Sequence, residues 1–141
     1  MFVVDASVWV GYYYTADRYH APSRRWVQDQ VRERRPLLVP TIGLPEVAGA
    51  IARQSGKTNA GLRALTLMQG LGVLRVVPVD HDLGLLSGQL AAEQRLRGMD
   101  AVYAALARHL DLPLVTWNSD QLQRSGPDVR SWTPTAPPSA S

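Results

Sequence analysis

Four short apolar runs, most of them followed by a longer segment of helical periodicity, constrain this chain more than any other feature. The runs are Phe2-Val3-Val4, Leu37 to Pro40, Val73 to Pro78 and Leu112 to Thr116. They read as strands, the first buried and ending in an acid, Asp5. Helices are predicted over Ser7–Tyr14, with Ser7 as a candidate cap, and over Asp17–Arg35, where Trp26, Val27 and Val31 recur at helical spacing. Further helices are predicted over Thr41–Gln54, with Pro45 tolerated in the first turn, Ala60–Gly70, Asp82–Leu96, Asp100–His109 and Asn118–Arg124. Gly98 reads as a helix terminator and Val129–Trp132 as a last strand. Alternating strands and helices predict an α/β fold, with a central parallel sheet of four to five strands flanked by helices. Active crevices in such folds lie at the carboxyl ends of the strands.

The 141 residues suffice for one compact domain and are too few for two. Residues 1–132 are read as that domain; 133–141 are Pro, Ala, Ser and Thr only, predicting a disordered tail. The absence of cysteine excludes disulfides and thiolate metal sites, and fits a cytoplasmic protein. No apolar run approaches a membrane span, and the start lacks the basic region of a signal peptide. The net charge of +3 rests on arginine, with Lys57 the only lysine. Arg18, Arg24, Arg25, Arg32, Arg34 and Arg35 suit phosphate, but their spread along one segment first suggests a solvated helix face.

Five polar residues fall near strand ends or helix starts: Asp5, Glu46, Asp100, Asn118 and Asp120. Each has a structural explanation alone. Asp5, Asp100, Asn118 and Asp120 suit helix caps, and Glu46 suits a helix N-terminal dipole. Taken together they point elsewhere. Carboxylates in apolar surroundings are costly unless paired or bound to a cation, and oxygen-only donors suit Mg²⁺ or Mn²⁺. His20, His81 and His109 have no metal-ligand spacing, and Asp80 or Asp82 reads as a cap. No Walker or dinucleotide glycine motif occurs. Trp9, Tyr12 and Tyr13 form a stripe on the first helix; core packing is the default, and a partner groove the alternative.

The four segments carrying these residues resemble the motifs of PIN domains, particularly VapC-type toxins. Val4-Asp5-Ala6-Ser7 is similar to the family's opening strand and Asp-x-Ser/Thr, and Pro40 to Val47 to its helix-borne glutamate motif. Arg97 to Ala107 resembles its third motif, and Leu114 to Asp120 its fourth. The order holds from residue 2 to about 124. The chain departs at the usual fourth acid, where Asn118 stands; Asp120, two residues on, is a candidate substitute.

The resemblance implies a metal-dependent endoribonuclease cleaving single-stranded or structured RNA. Asp5, Asp100 and Glu46 would hold Mg²⁺ or Mn²⁺. Ser7 and Thr116 would orient carboxylates or waters, and Asn118 or Asp120 would complete the site. It also implies a homodimer and a cognate antitoxin. Two other readings compete. A haloacid-dehalogenase-like phosphatase needs Asp-x-Asp, and Ser7 stands at the second acid. A non-catalytic scaffold that binds RNA or a partner is favoured only by Asn118.

Overall fold

The computed structural model describes residues 1–135. Five strands, β1 (Phe2–Val4), β2 (Leu37–Pro40), β3 (Leu74–Val77), β4 (Leu114–Val115) and β5 (Ser131–Trp132), form one sheet. All neighbours pair in parallel, in the order β3-β2-β1-β4-β5. The α/β expectation holds, at the upper end of its strand count. Seven helices flank the sheet: α1 (Ala6–Tyr13), α2 (His20–Arg32), α3 (Gly43–Ser55), α4 (Thr58–Gly70), α5 (His81–Gln94), α6 (Gly98–Leu110) and α7 (Ser119–Arg124).

The core explains the central position of β1. Val3, Val4, Leu37, Val39, Leu114 and Val115 are fully buried, so the three middle strands are apolar on both faces. Tyr103 to Ala107 of α6 are also buried, and α6 lies against β1 and β2. Small alanines there allow close helix–sheet approach. At the edge, β3 keeps Val76 exposed.

From β1 the chain steps outward through β2 to β3, then returns to the other side of β1 for β4 and β5. The connections leaving β1 and β4 therefore diverge, opening a crevice at their carboxyl ends.

Several local expectations need correction. Asp5, not Ser7, caps α1, its Oδ2 accepting the Ser7 N–H at 2.9 Å. α2 starts at His20 rather than Asp17, because Asp17 Oδ1 accepts the Tyr19 N–H at 2.8 Å and closes a turn there. Gly98 starts α6 instead of ending α5. The stop is Arg95, in the left-handed region at φ 54°. Asp100 lies inside the first turn of α6 and does not cap it. Asp80 does cap α5, accepting the Leu83 N–H at 2.8 Å. Beyond β5, Pro134 is buried, inside the segment expected to be tail; residues 136–141 lie outside the described residues. Among the described residues no helix is long and apolar enough to cross a membrane.

Candidate active site

Asp5 directly follows β1, and its backbone N–H donates to the Val115 carbonyl at 2.9 Å, tying it to β4. Its side chain is 5% exposed. Oδ2 caps α1, and Oδ1 accepts from Gln121 Nε2 at 3.1 Å. Both oxygens thus have protein donors, as burial requires.

Gln121 is the hub of the β4 side. It is fully buried, accepts from the Thr116 hydroxyl at 2.6 Å, and donates to Asp5 and, at 3.3 Å, to the Asp100 carbonyl. Thr116 Oγ1 also accepts the Asn118 N–H at 2.9 Å. Ser7 Oγ accepts the Trp117 N–H at 3.0 Å and lies 3.5 Å from Thr116 Oγ1. Ser7 and Thr116 therefore stitch the two strand ends together, next to the acids.

Glu46 enters from the first turn of α3. The Tyr103 hydroxyl donates to its Oε1 at 2.7 Å. Gly43 makes room: a Cβ there would lie 2.3 Å from Val39 Cγ2 and 2.9 Å from the Tyr103 hydroxyl oxygen. Burial pushes the Glu46 carboxyl up to about 7; the Tyr103 hydrogen bond opposes this, while the charges of Asp5 and Asp100 add to it. Burial, then the Asp5 charge, also raises Asp100, against the pull of Asn118 and Arg97. Burial and the nearby carboxylates raise the Tyr103 hydroxyl as well, so it remains a donor.

Asn118 caps α7, its Oδ1 accepting the N–H groups of Asp120 at 2.8 Å and Gln121 at 3.4 Å. Its carbonyl oxygen is thus engaged locally. Asp5, Ser7, Glu46, Asp100 and Asn118 line one pocket of about 570 Å³. Asp17, Arg18, Tyr19 and Arg53 line it too. Thr116 and Asp120 do not, although the Asp120 charge still contributes to raising Asp100. Arg24, Arg25, Arg32, Arg34 and Arg35 are exposed, as a solvated face predicts; Arg18 differs by facing the pocket. In the aromatic stripe, Trp9 is fully buried while Tyr12 and Tyr13 are half-buried.

Four salt bridges occur among the described residues, and none uses Asp5, Glu46, Asp100 or Asp120. Glu46 and Asp100, unpaired and with raised proton affinity, form with Asp5 a donor set suited to a hard divalent cation. Among the described residues no three histidine, aspartate or glutamate side chains converge into a ready-made metal cluster. The donors present fit a cation held by one or two carboxylates with water completing its shell, as Mg²⁺ prefers.

Sequence reasoning missed Gln121 and Tyr103. Glutamine in a short polar helix and tyrosine in an apolar one carry no local signal. Their roles arise from contacts with residues 116 and 57 positions away.

A family profile described as PIN domain matches residues 2–126. No curated protein matches the chain in sequence. Among solved structures, it is similar to a Mycobacterium tuberculosis VapC toxin that cleaves the sarcin–ricin loop, at 19% identity and TM-score 0.76, covering 92% of this chain and 99% of that one. It is also similar to a VapBC from Rickettsia felis bound to a promoter DNA fragment, at 15% identity and TM-score 0.71, covering 94% and 97%. A DNA-bound VapBC from Salmonella typhimurium matches at 20% identity and TM-score 0.69, again covering 94% and 97%.

Proposed function

The chain belongs to the PIN-domain family, and from that premise we propose that it is a divalent-metal-dependent endoribonuclease, the toxin of a toxin–antitoxin pair. One observation carries the reading: Asp5, Glu46 and Asp100 line one pocket at the strand switch point, with no ion pair among the described residues to neutralise them. The likeness to VapC and VapBC structures supports the toxin role. A cognate antitoxin, a second copy of the chain and RNA in the cytoplasm are its partners on this reading.

Asp5 and Asp100 would hold Mg²⁺ or Mn²⁺, with Glu46 as a further ligand or as the residue that positions water. The cation supplies Lewis-acid polarisation of the scissile phosphate and a more acidic water. The protein does the rest. Gln121 and the Ser7 N–H fix Asp5, so little reorganisation is needed when substrate arrives. Tyr103 orients Glu46, whose affinity near neutrality suits it to accept a proton from water. Thr116 acts through Gln121, and Asn118 shapes the turn beside Asp100.

Asn118, standing where relatives carry an acid, favours a second reading: a weakly active scaffold that binds RNA or a partner. Cleavage separates the two. Purified protein is incubated with a labelled total-RNA pool under Mg²⁺, Mn²⁺ or EDTA, beside Asp5→Asn. Metal-dependent cutting lost in the variant supports the nuclease. Intact RNA with folded, antitoxin-free wild type supports the scaffold.

A further inference from the structure

Beside the acids, the same pocket is lined by two members, Tyr19 and Arg18, of a stack that the proposed chemistry does not use. Trp117 sits between Thr116 and Asn118, and its ring lies on Tyr19 with centroids 4.2 Å apart and planes 5° from parallel. The Arg18 guanidinium lies over the Tyr19 ring, its Cζ 4.7 Å from the centroid. A ring as close and parallel as Trp117 covers one face of Tyr19, so the cation takes the other. The order outward is Trp117, Tyr19, Arg18.

Each layer except the last is pinned. Trp117 Nε1 donates to Ser23 Oγ at 2.9 Å, and the Tyr19 N–H is held by Asp17 Oδ1 at 2.8 Å. His20 Nδ1 lies 2.8 Å from the Gly11 carbonyl, tying this turn to α1. Gly11 permits the approach, since a Cβ there would lie 2.5 Å from Ser23 Oγ. Arg18 is exposed and forms no salt bridge among the described residues. Arg18 and Tyr19 line the pocket together with Asp5, Glu46 and Asp100.

We infer that the open end of this stack binds one unpaired nucleobase of an RNA strand whose phosphate lies at the acids. The inference rests on the nuclease reading and names how that site selects its substrate. A planar cation backed by two parallel rings presents a flat, electropositive face, the surface on which exposed bases stack. Bases inside a duplex are already stacked, so the platform favours single-stranded or splayed-out nucleotides. Stacking tolerates any base, so the preference is for unpaired structure over sequence. Pre-fixed rings lower the ordering cost of binding.

The test uses the Asp5→Asn chain with Mg²⁺, so that bound RNA survives. Fluorescence anisotropy reads its affinity for an oligouridylate of about twelve nucleotides, and for a matched strand of abasic spacers with the same phosphates. Tyr19→Ala is expected to weaken oligouridylate binding by about tenfold and leave spacer binding unchanged, while Tyr19→Phe binds both like the parent. Arg18→Ala, on an exposed side chain, carries the same comparison if Tyr19→Ala fails to fold. It should weaken the base-bearing strand more than the spacer strand. Equal losses on both strands, no loss on either, or no binding by the parent would overturn the platform. An equal loss would mark a phosphate contact, and no loss would mark a scaffold or a protein-binding face. Cleavage by wild type is scored separately. Base-dependent binding without cleavage sinks the nuclease reading and keeps the platform; cleavage without base dependence does the reverse.

Discussion

Asp5 and Glu46 face one pocket, the first from the end of β1 and the second from the first turn of α3, yet the protein holds them differently. Asp5 is 5% exposed, and each of its oxygens accepts a protein hydrogen bond. Glu46 is half-buried, has one donor, Tyr103, and holds its proton up to about 7. One carboxylate is a fixed anchor set between β1 and β4. The other is adjustable and sits at the protonation boundary of neutral solution. On the proposed nuclease reading, the first would serve as a rigid ligand that costs little reorganisation and the second as a group able to trade a proton.

Breaking the anchor should have the largest effect. Asp5→Asn keeps the shape and removes the charge, and should lower metal-dependent RNA cleavage about a hundredfold or more, read as an initial rate. If the loss matches that of Glu46→Gln, the two acids are equivalent and the contrast fails. Gln121→Leu tests whether the anchor depends on its clamp. It leaves the buried Asp5 Oδ1 without its donor and the Thr116 hydroxyl without its Gln121 acceptor, and should cost about 1–3 kcal/mol in urea unfolding besides slowing cleavage.

On the adjustable side, Tyr103→Phe removes the only hydrogen bond to the Glu46 carboxylate among the described residues, at a cost of about 1 kcal/mol. Because that bond lowers the Glu46 affinity for its proton, the acidic limb of the pH–rate profile should move to higher pH. The smallest effect concerns stability. Glu46 binds its proton more tightly folded than unfolded, so it favours the folded state below the unfolded value. That contribution is lost as pH rises through about 7. In EDTA, the melting temperature of wild type relative to Glu46→Gln should therefore fall as pH rises from about 5 to about 8. A flat difference would show that Glu46 is solvated like a surface carboxylate.

The same contrast explains what the sequence reveals. Asp5, Glu46, Asp100 and Asn118 were legible because each lies beside a strand end or in a first helical turn, where fold topology concentrates chemistry. The sheet was legible because its central strands are continuous apolar runs. The supports were not. Gln121 and Tyr103 gain meaning only when β1, α3, α6 and α7 converge, and no local pattern encodes such distant pairings. The misplaced end of α5 has a physical cause too. The glycine marks a helix start, while Arg95 takes the left-handed turn that glycine usually makes. Arg18 was read with the arginines of one helix, but the turn closed by Asp17 delays the start of α2 to His20, so Arg18 and Tyr19 precede the helix and line the pocket.

The most direct measurement is Mn²⁺ binding followed by electron paramagnetic resonance, on wild type, Asp5→Asn and Asp100→Asn, with Asp80→Asn as a control away from the pocket. A cation site built on the fixed anchor predicts that wild type and Asp80→Asn take up Mn²⁺ alike, while Asp5→Asn and Asp100→Asn lose at least about tenfold in affinity. Equal binding by all four folded proteins would contradict it, and would remove the acid pocket from the chemistry.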